Sequence, residues 1–166
     1  PRIRVSLGLH TTKAQLEWDW KMTHEMVHLA FPDLPENQRW LEEGVATYVE
    51  PFARSGIGAL SPQRAWQDQV EGMPKGLPRP GDKGLDETPT WGRTYWGGAL
   101  FFLLADVEIR TRTQNKKGLR DALRGTLAAG AVIGHEWTAE KVLEVGDRSI
   151  GVEVLGPLYR KMRNEP

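Results

Sequence analysis

Leu16-Glu17-Trp18-Asp19-Trp20-Lys21-Met22-Thr23-His24-Glu25-Met26-Val27-His28-Leu29-Ala30-Phe31-Pro32 is the stretch on which the architecture turns. Leu16, Trp20, Val27 and Phe31 recur at the spacing of one helix face, and Thr12-Lys13-Ala14-Gln15 in front of them has the form of a capping box. The pattern predicts a helix from about Lys13 to Phe31, stopped by Pro32. Pro32 and Pro35 then make a turn into a second helix, from about Glu36 into the Phe52 region, weakened at Pro51 and ended by Gly56 and Gly58.

Further along, Ser61-Pro62 reads as an N-cap followed by Pro at the first helical position, opening a short helix toward Val70. The Gly- and Pro-rich run from Gly72 to Pro89 predicts a long loop, either beside an active site or on plain surface. Trp91 to about Arg112 predicts a long apolar helix interrupted early by Gly97-Gly98. Leu119 to Ala129 predicts a helix stopped by Gly130, and Thr138 caps another that Gly146 ends. The tail from Val152 to Met162 is helical in spite of Pro157. Only Arg2 to Leu7, where Ile3, Val5 and Leu7 alternate with polar residues, has the period of a strand. The expected fold is mainly α, with at most a short N-terminal strand region as an α+β remnant.

Composition narrows the function. At 166 residues one domain is expected, either whole or as a fragment of a longer protein. Lys plus Arg equals Asp plus Glu at 22 each, so no overall field points to nucleic acid or an anionic membrane. The longest apolar stretch, around Ala99 to Ala105, is too short to span a bilayer and reads as a buried helix. The start of the chain has no charged-then-apolar leader, so no signal peptide is expected. Cysteine is absent, which leaves His, Asp and Glu as the strong metal ligands and the compartment open.

Thr23-His24-Glu25-Met26-Val27-His28 holds H-E-x-x-H inside the predicted helix. Positions i and i+4 share a helix face, so both imidazoles can reach one ion with Glu25 beside it. The plainer alternative is two packed or solvated histidines without a metal. Catalytic zinc takes three protein ligands and leaves a fourth position for water, so a third ligand is sought downstream. Glu43, in Trp40-Leu41-Glu42-Glu43-Gly44-Val45-Ala46, lies near the middle of the second predicted helix, past a turn short enough to fold it back on the first. A solvated acidic face is the competing reading. Gly44 costs a helix about 1 kcal/mol relative to Ala, which predicts close approach of another backbone or of the metal helix.

These residues resemble the gluzincin metallopeptidases. Their third ligand is the Glu before Gly in a W-L-x-E-G-x-A segment, a frame that selects Glu43 over Glu42. Tyr95-Trp96-Gly97-Gly98-Ala99-Leu100, with Ala105 to Thr113 behind it, is similar to the glycyl aminopeptidase branch, with aminopeptidase N-like enzymes next. The likeness runs from about Leu16 to Gly125. It implies a gluzincin-type catalytic helical domain with one Zn2+ per chain, held by His24, His28 and Glu43, acting on a peptide or protein substrate. Glu25 would be the general base toward a metal-activated water. Tyr95, matching a family tyrosine, would hold the oxygen that becomes negative. The branch usually carries a large β-rich region before the zinc helix and often a peptide-binding module after it, which these 166 residues do not contain, and the short acidic motif by which aminopeptidase N-like enzymes hold a free amino terminus is not found among them.

A different class of function is a zinc-site domain that binds peptide without cutting it; Glu25 speaks against this, since a binder needs no base. Arg110, Arg112, Lys116, Lys117, Arg120 and Arg124 form a basic stretch. Glu108 and Asp121 break it and no aromatic residues interleave it, so it reads as a solvated face and no nucleic acid partner is expected. Thr47 and Glu50 are spaced either to bond the outer nitrogen of a ligating His or to face solvent. His10 and His135 are assigned no role. The seven tryptophans, dispersed at helical spacings, are expected mostly in the core.

Overall fold

The computed structural model describes residues 2–165, the side chains of Glu17 and Trp18 excepted, so the expectation for Trp18 lies outside what is described. The first four helices are α1 (Lys13–Trp18), α2 (Lys21–His28), α3 (Arg39–Gly56) and α4 (Pro62–Gly72). A π-helical turn (Gly92–Gly97) leads without a break into α5 (Gly98–Arg112), followed by α6 (Leu119–Ala128), α7 (Ala139–Ile150) and α8 (Leu155–Asn164). The fold is mainly α, and the described residues form no sheet. Among the described residues no helix is long and apolar enough to cross a membrane.

Hydroxyl caps open three helices where the sequence puts them. Thr12 accepts from the Gln15 N–H while the Gln15 side chain returns to the Thr12 N–H. Ser61 accepts from Arg64 N ahead of Pro62, and Thr138 accepts from Lys141 N. Each cap satisfies an N–H that the first turn leaves without a helical partner. At the head of α8 a carboxylate takes this part: Asp147 accepts from the N–H groups of Val154, Leu155 and Gly156 at 2.8–3.0 Å.

The core forms around α3 and α5. Leu41 and Val45 of α3 and Phe101, Phe102, Ala105 and Ile109 of α5 are buried, and the apolar faces of α6, α7 and α8 close over them. α3 and α5 meet backbone to backbone. A Cβ on Gly44 would lie 2.5 Å from the Gly98 backbone, and one on Gly98 would lie 2.1 Å from the Trp40 carbonyl oxygen. The mid-helix glycine therefore serves α5 rather than the helix that carries the histidines. Pro51 inside α3 cannot donate to the carbonyl of Thr47, four residues back. The buried Gln69 side chain of α4 donates to it instead at 3.3 Å, and to the Tyr48 carbonyl at 3.4 Å.

Polar groups tie the start of α3 to the end of the chain. Trp40 Nε1–H donates to Asp86 at 2.8 Å, Arg163 pairs with both Asp86 and Glu140, and Gln38 bridges the Tyr159 hydroxyl and the Ala139 N–H. Asp86 and Gln38 lie outside regular α-helix, which shows how much of the structure the connecting segments hold.

Several expectations are corrected. Arg2 to Leu7 forms no strand: the only bridge among the described residues joins Asp33 and Glu136, so its alternating pattern has no partner to pair with. The expected helix from Lys13 to Phe31 is two helices. Asp19 adopts extended backbone (φ −72°, ψ 119°) and its carboxylate accepts from Lys21 N at 2.7 Å, a local bond that competes with helix continuation. Gly146 does not end α7, which runs on to Ile150 and stops at Gly151 in the left-handed region (φ 74°). Gly146 is instead a packing position, where a Cβ would lie 2.7 Å from Leu155. The 72–89 segment contains two short 3-10 turns, Met73–Gly76 and Leu85–Glu87. Trp20, Trp66 and Trp91 are each about half exposed or more, so the tryptophans are less uniformly core than their spacing implies.

Candidate metal centre

α2 carries His24 and His28 on one face, and the turn through Pro32 and Pro35 returns the chain so that α3 packs on that face. The turn is fixed by Glu42, whose carboxylate accepts from Leu34 N at 2.6 Å. Glu42 is thereby engaged elsewhere and Glu43 faces the histidines. His24 Nε2 lies 3.1 Å and His28 Nε2 3.6 Å from Glu43 Oε2, and one ligand atom from each residue falls within 4.8 Å of the others. Two ligands on a tetrahedral zinc, each about 2.0–2.1 Å from it, are roughly 3.4 Å apart. The observed separations bracket that value. His24 and Glu43 are buried and His28 is partly so, and a set of two imidazoles and a carboxylate is one that zinc accepts.

Charge is concentrated here. Burial alone would raise the Glu43 carboxyl, but hydrogen bonds with His24 and His28, and their charges, outweigh it and hold Glu43 well below the usual carboxylate range. For His28 burial acts downward. The Glu43 hydrogen bond and the charges of Glu43, Glu25 and Glu42 more than offset it, so the imidazole sits above its ordinary 6.5. The other Glu43 oxygen, Oε1, faces Arg39, whose Nη2 is 3.3 Å away. One oxygen is thus held by a cation while the other is left to the imidazoles.

Beside these groups opens a cleft of about 430 Å³ whose walls include Glu25, His28, Arg39, Glu42, Glu43 and Tyr95. Glu25 is exposed to it from α2. Tyr95 comes from the π-helical turn, with its ring stacked 6.0 Å from that of His24. Burial and the Glu43 carboxylate raise the Tyr95 hydroxyl above its ordinary 10.0, so it is a proton donor at neutral pH. The fold therefore brings His24, Glu25, His28, Glu43 and Tyr95 to one place.

Thr47 and Glu50 do not bond an imidazole. Glu50 pairs with Arg54 at 3.1 Å, and the buried Thr47 hydroxyl has no hydrogen-bond partner among the described residues. His10 is exposed, and His135 Nδ1–H donates to the Gly130 carbonyl at 3.0 Å. Three residues around the centre carry no signal in the motifs: Trp20, edge-on to His24 at 5.2 Å; Arg39; and Trp91, stacked on Tyr95 at 5.8 Å. Each stands four positions before the residue it touches, the helical spacing at which side chains meet, and that spacing was the available signal.

Compared with protein-family models, curated proteins and solved structures, the chain matches none. The family likeness rests on the motif residues alone.

Proposed function

We propose that this protein is a zinc-dependent peptidase whose metal is held by His24, His28 and Glu43. The observation that carries the reading is that Nε2 of His24 and of His28 lie 3.1 and 3.6 Å from Glu43 Oε2, in a group whose ligand atoms all fall within 4.8 Å, at the edge of a cleft that also holds Glu25 and Tyr95. When bound, the ion supplies Lewis acidity, lowering the pKa of water and polarising a carbonyl. Glu25, exposed on α2 between the two histidines, accepts the proton from the attacking water and passes it to the departing amine. Tyr95 keeps its proton at neutral pH and donates a hydrogen bond to the oxygen that gains negative charge. Arg39 holds Glu43 by its far oxygen, fixing the direction in which the near oxygen points. Trp20 and Trp91 limit how far the His24 and Tyr95 rings can turn.

The test is zinc content per chain after purification without added metal, together with cleavage of a peptide library. Near-stoichiometric zinc in the wild type, lost in His28→Ala and Glu43→Gln, supports the metal centre. Retained zinc with cleavage lost in Glu25→Gln supports the base. Tyr95→Phe is expected to keep zinc and lose about 100- to 1,000-fold in kcat, the usual effect of removing one donor to a developing oxyanion. A wild type that stays metal-free in excess zinc would end the proposal.

A further inference from the structure

Beyond the metal cleft, residues of α2, α3, α4, α5 and α6 line a second pocket of about 670 Å³, open to solvent along one side and within the size range of ligand pockets. Its walls are largely apolar. Phe52 packs edge-on against Tyr48 at 5.3 Å and Trp66 at 4.9 Å, making an aromatic ladder on one side, and Leu123 and Leu127 of α6 stand among its other walls.

The charged residues at its edge are unequal in number. Asp106 is the single carboxylate in the lining, and it is already engaged by Arg110 at 2.8 Å and by Leu119 N at 2.6 Å. Arg120 and Arg124, one turn apart on α6, also line the cavity and have no carboxylate partner among the described residues. They belong to the basic stretch noted in the sequence, whose other members are accounted for differently. Arg112 pairs with Glu108 and donates to the Glu153 carbonyl, and Lys116 and Lys117 lie in and just after the turn between α5 and α6. An open apolar groove with two solvent-exposed, unmatched guanidinium groups at its rim suits a ligand that is apolar along its length and anionic at one end.

We propose that this cavity binds a single long-chain carboxylate, its alkyl tail against the Tyr48-Phe52-Trp66 ladder and its head group between Arg120 and Arg124. The site shares Phe31 with the metal cleft but includes none of the candidate metal residues, so its test does not depend on the peptidase reading. Affinity rises with chain length by up to about fourfold per buried CH2 until the chamber is full. It falls at least tenfold when the two arginines are reversed, since charge-assisted hydrogen bonds to the carboxylate are lost.

The experiment is calorimetric titration of the whole protein with octanoate, decanoate and dodecanoate below their micelle concentrations, with dodecanol as the uncharged control. Trp66 emission is followed in parallel and assigned by a Trp66→Phe variant. One-to-one binding that strengthens with chain length, perturbs Trp66, is weaker for dodecanol and drops in Arg120→Glu/Arg124→Glu supports the site. Leu123→Trp, which fills the chamber, should abolish binding; unchanged helical circular dichroism and cooperative melting in both variants separate this from misfolding. No saturable binding, equal binding by the arginine variant, or equal binding of dodecanol would overturn it. So would an acidic amphipathic peptide that binds this face and is not displaced by dodecanoate.

Discussion

Glu43 meets the strongest opposing demands of any residue in the centre: it is buried, yet three cationic or imidazole groups surround its two oxygens. In the metal-free protein its carboxyl is held below the ordinary 4.5, so its contribution to stability is present above that value and is lost as pH falls through the lowered one. His28 works in the other direction. Its pKa is raised above 6.5, so its contribution is full below 6.5 and is lost as pH rises through the raised value. The chelator-treated wild type should therefore exceed Glu43→Gln in melting temperature most between about pH 4.5 and 6.5, with the gap closing on both sides. A gap that does not vary between pH 3.5 and 8 would show that the pair is not coupled as described. With zinc present the gain should move above pH 6.5, because metal and protons compete for the same imidazole nitrogen.

At the scale of the elements, the crossing of α3 and α5 and the proline in α3 each depend on one small feature. Gly44→Ala places a methyl group where backbone stands 2.5 Å away, so it should cost at least about 1–3 kcal/mol in urea denaturation and weaken zinc affinity by displacing the helix that carries Glu43. A neutral Gly44→Ala would refute the close crossing. Gln69→Leu leaves the Thr47 carbonyl opposite Pro51 without a donor and should cost about 1–3 kcal/mol. Adding Pro51→Ala should recover part of that loss by supplying an N–H to the Thr47 carbonyl, which a double-mutant cycle would register. Helix beginnings were legible because Thr12, Ser61 and Thr138 act within one turn of themselves. The break at Asp19 was not, because the same carboxylate could have pointed to water, and neither was the role of Gly146, which depends on Leu155 arriving from the next helix. The histidines and Glu43 were legible because helical spacing and a short turn determine where they lie. Trp20, Arg39 and Trp91 were overlooked because a residue four positions away gains meaning only once its neighbour has a role.

Over the whole molecule, attachment is uneven. α5 is packed against α3, α6, α8 and the π-helical turn, whereas α2 packs chiefly on α3 and leaves Trp20, Met22 and Met26 about half exposed. An ion shared by α2 and α3 would thus be a principal fastening for α2. Metal removal should lower amide-exchange protection over residues 21–28 well before it affects α5. Equal loss of protection in both helices would mean that the molecule opens as one unit. The Gly44–Gly98 crossing has a mechanical consequence. Glu43 is one residue and Tyr95 three residues from the point where the backbones touch, with no side chain between them to act as a cushion. Those two groups are therefore carried as a pair on the side of the cleft with the tightest backbone packing, while Glu25 and the two imidazoles come from α2, the side attached by fewer contacts.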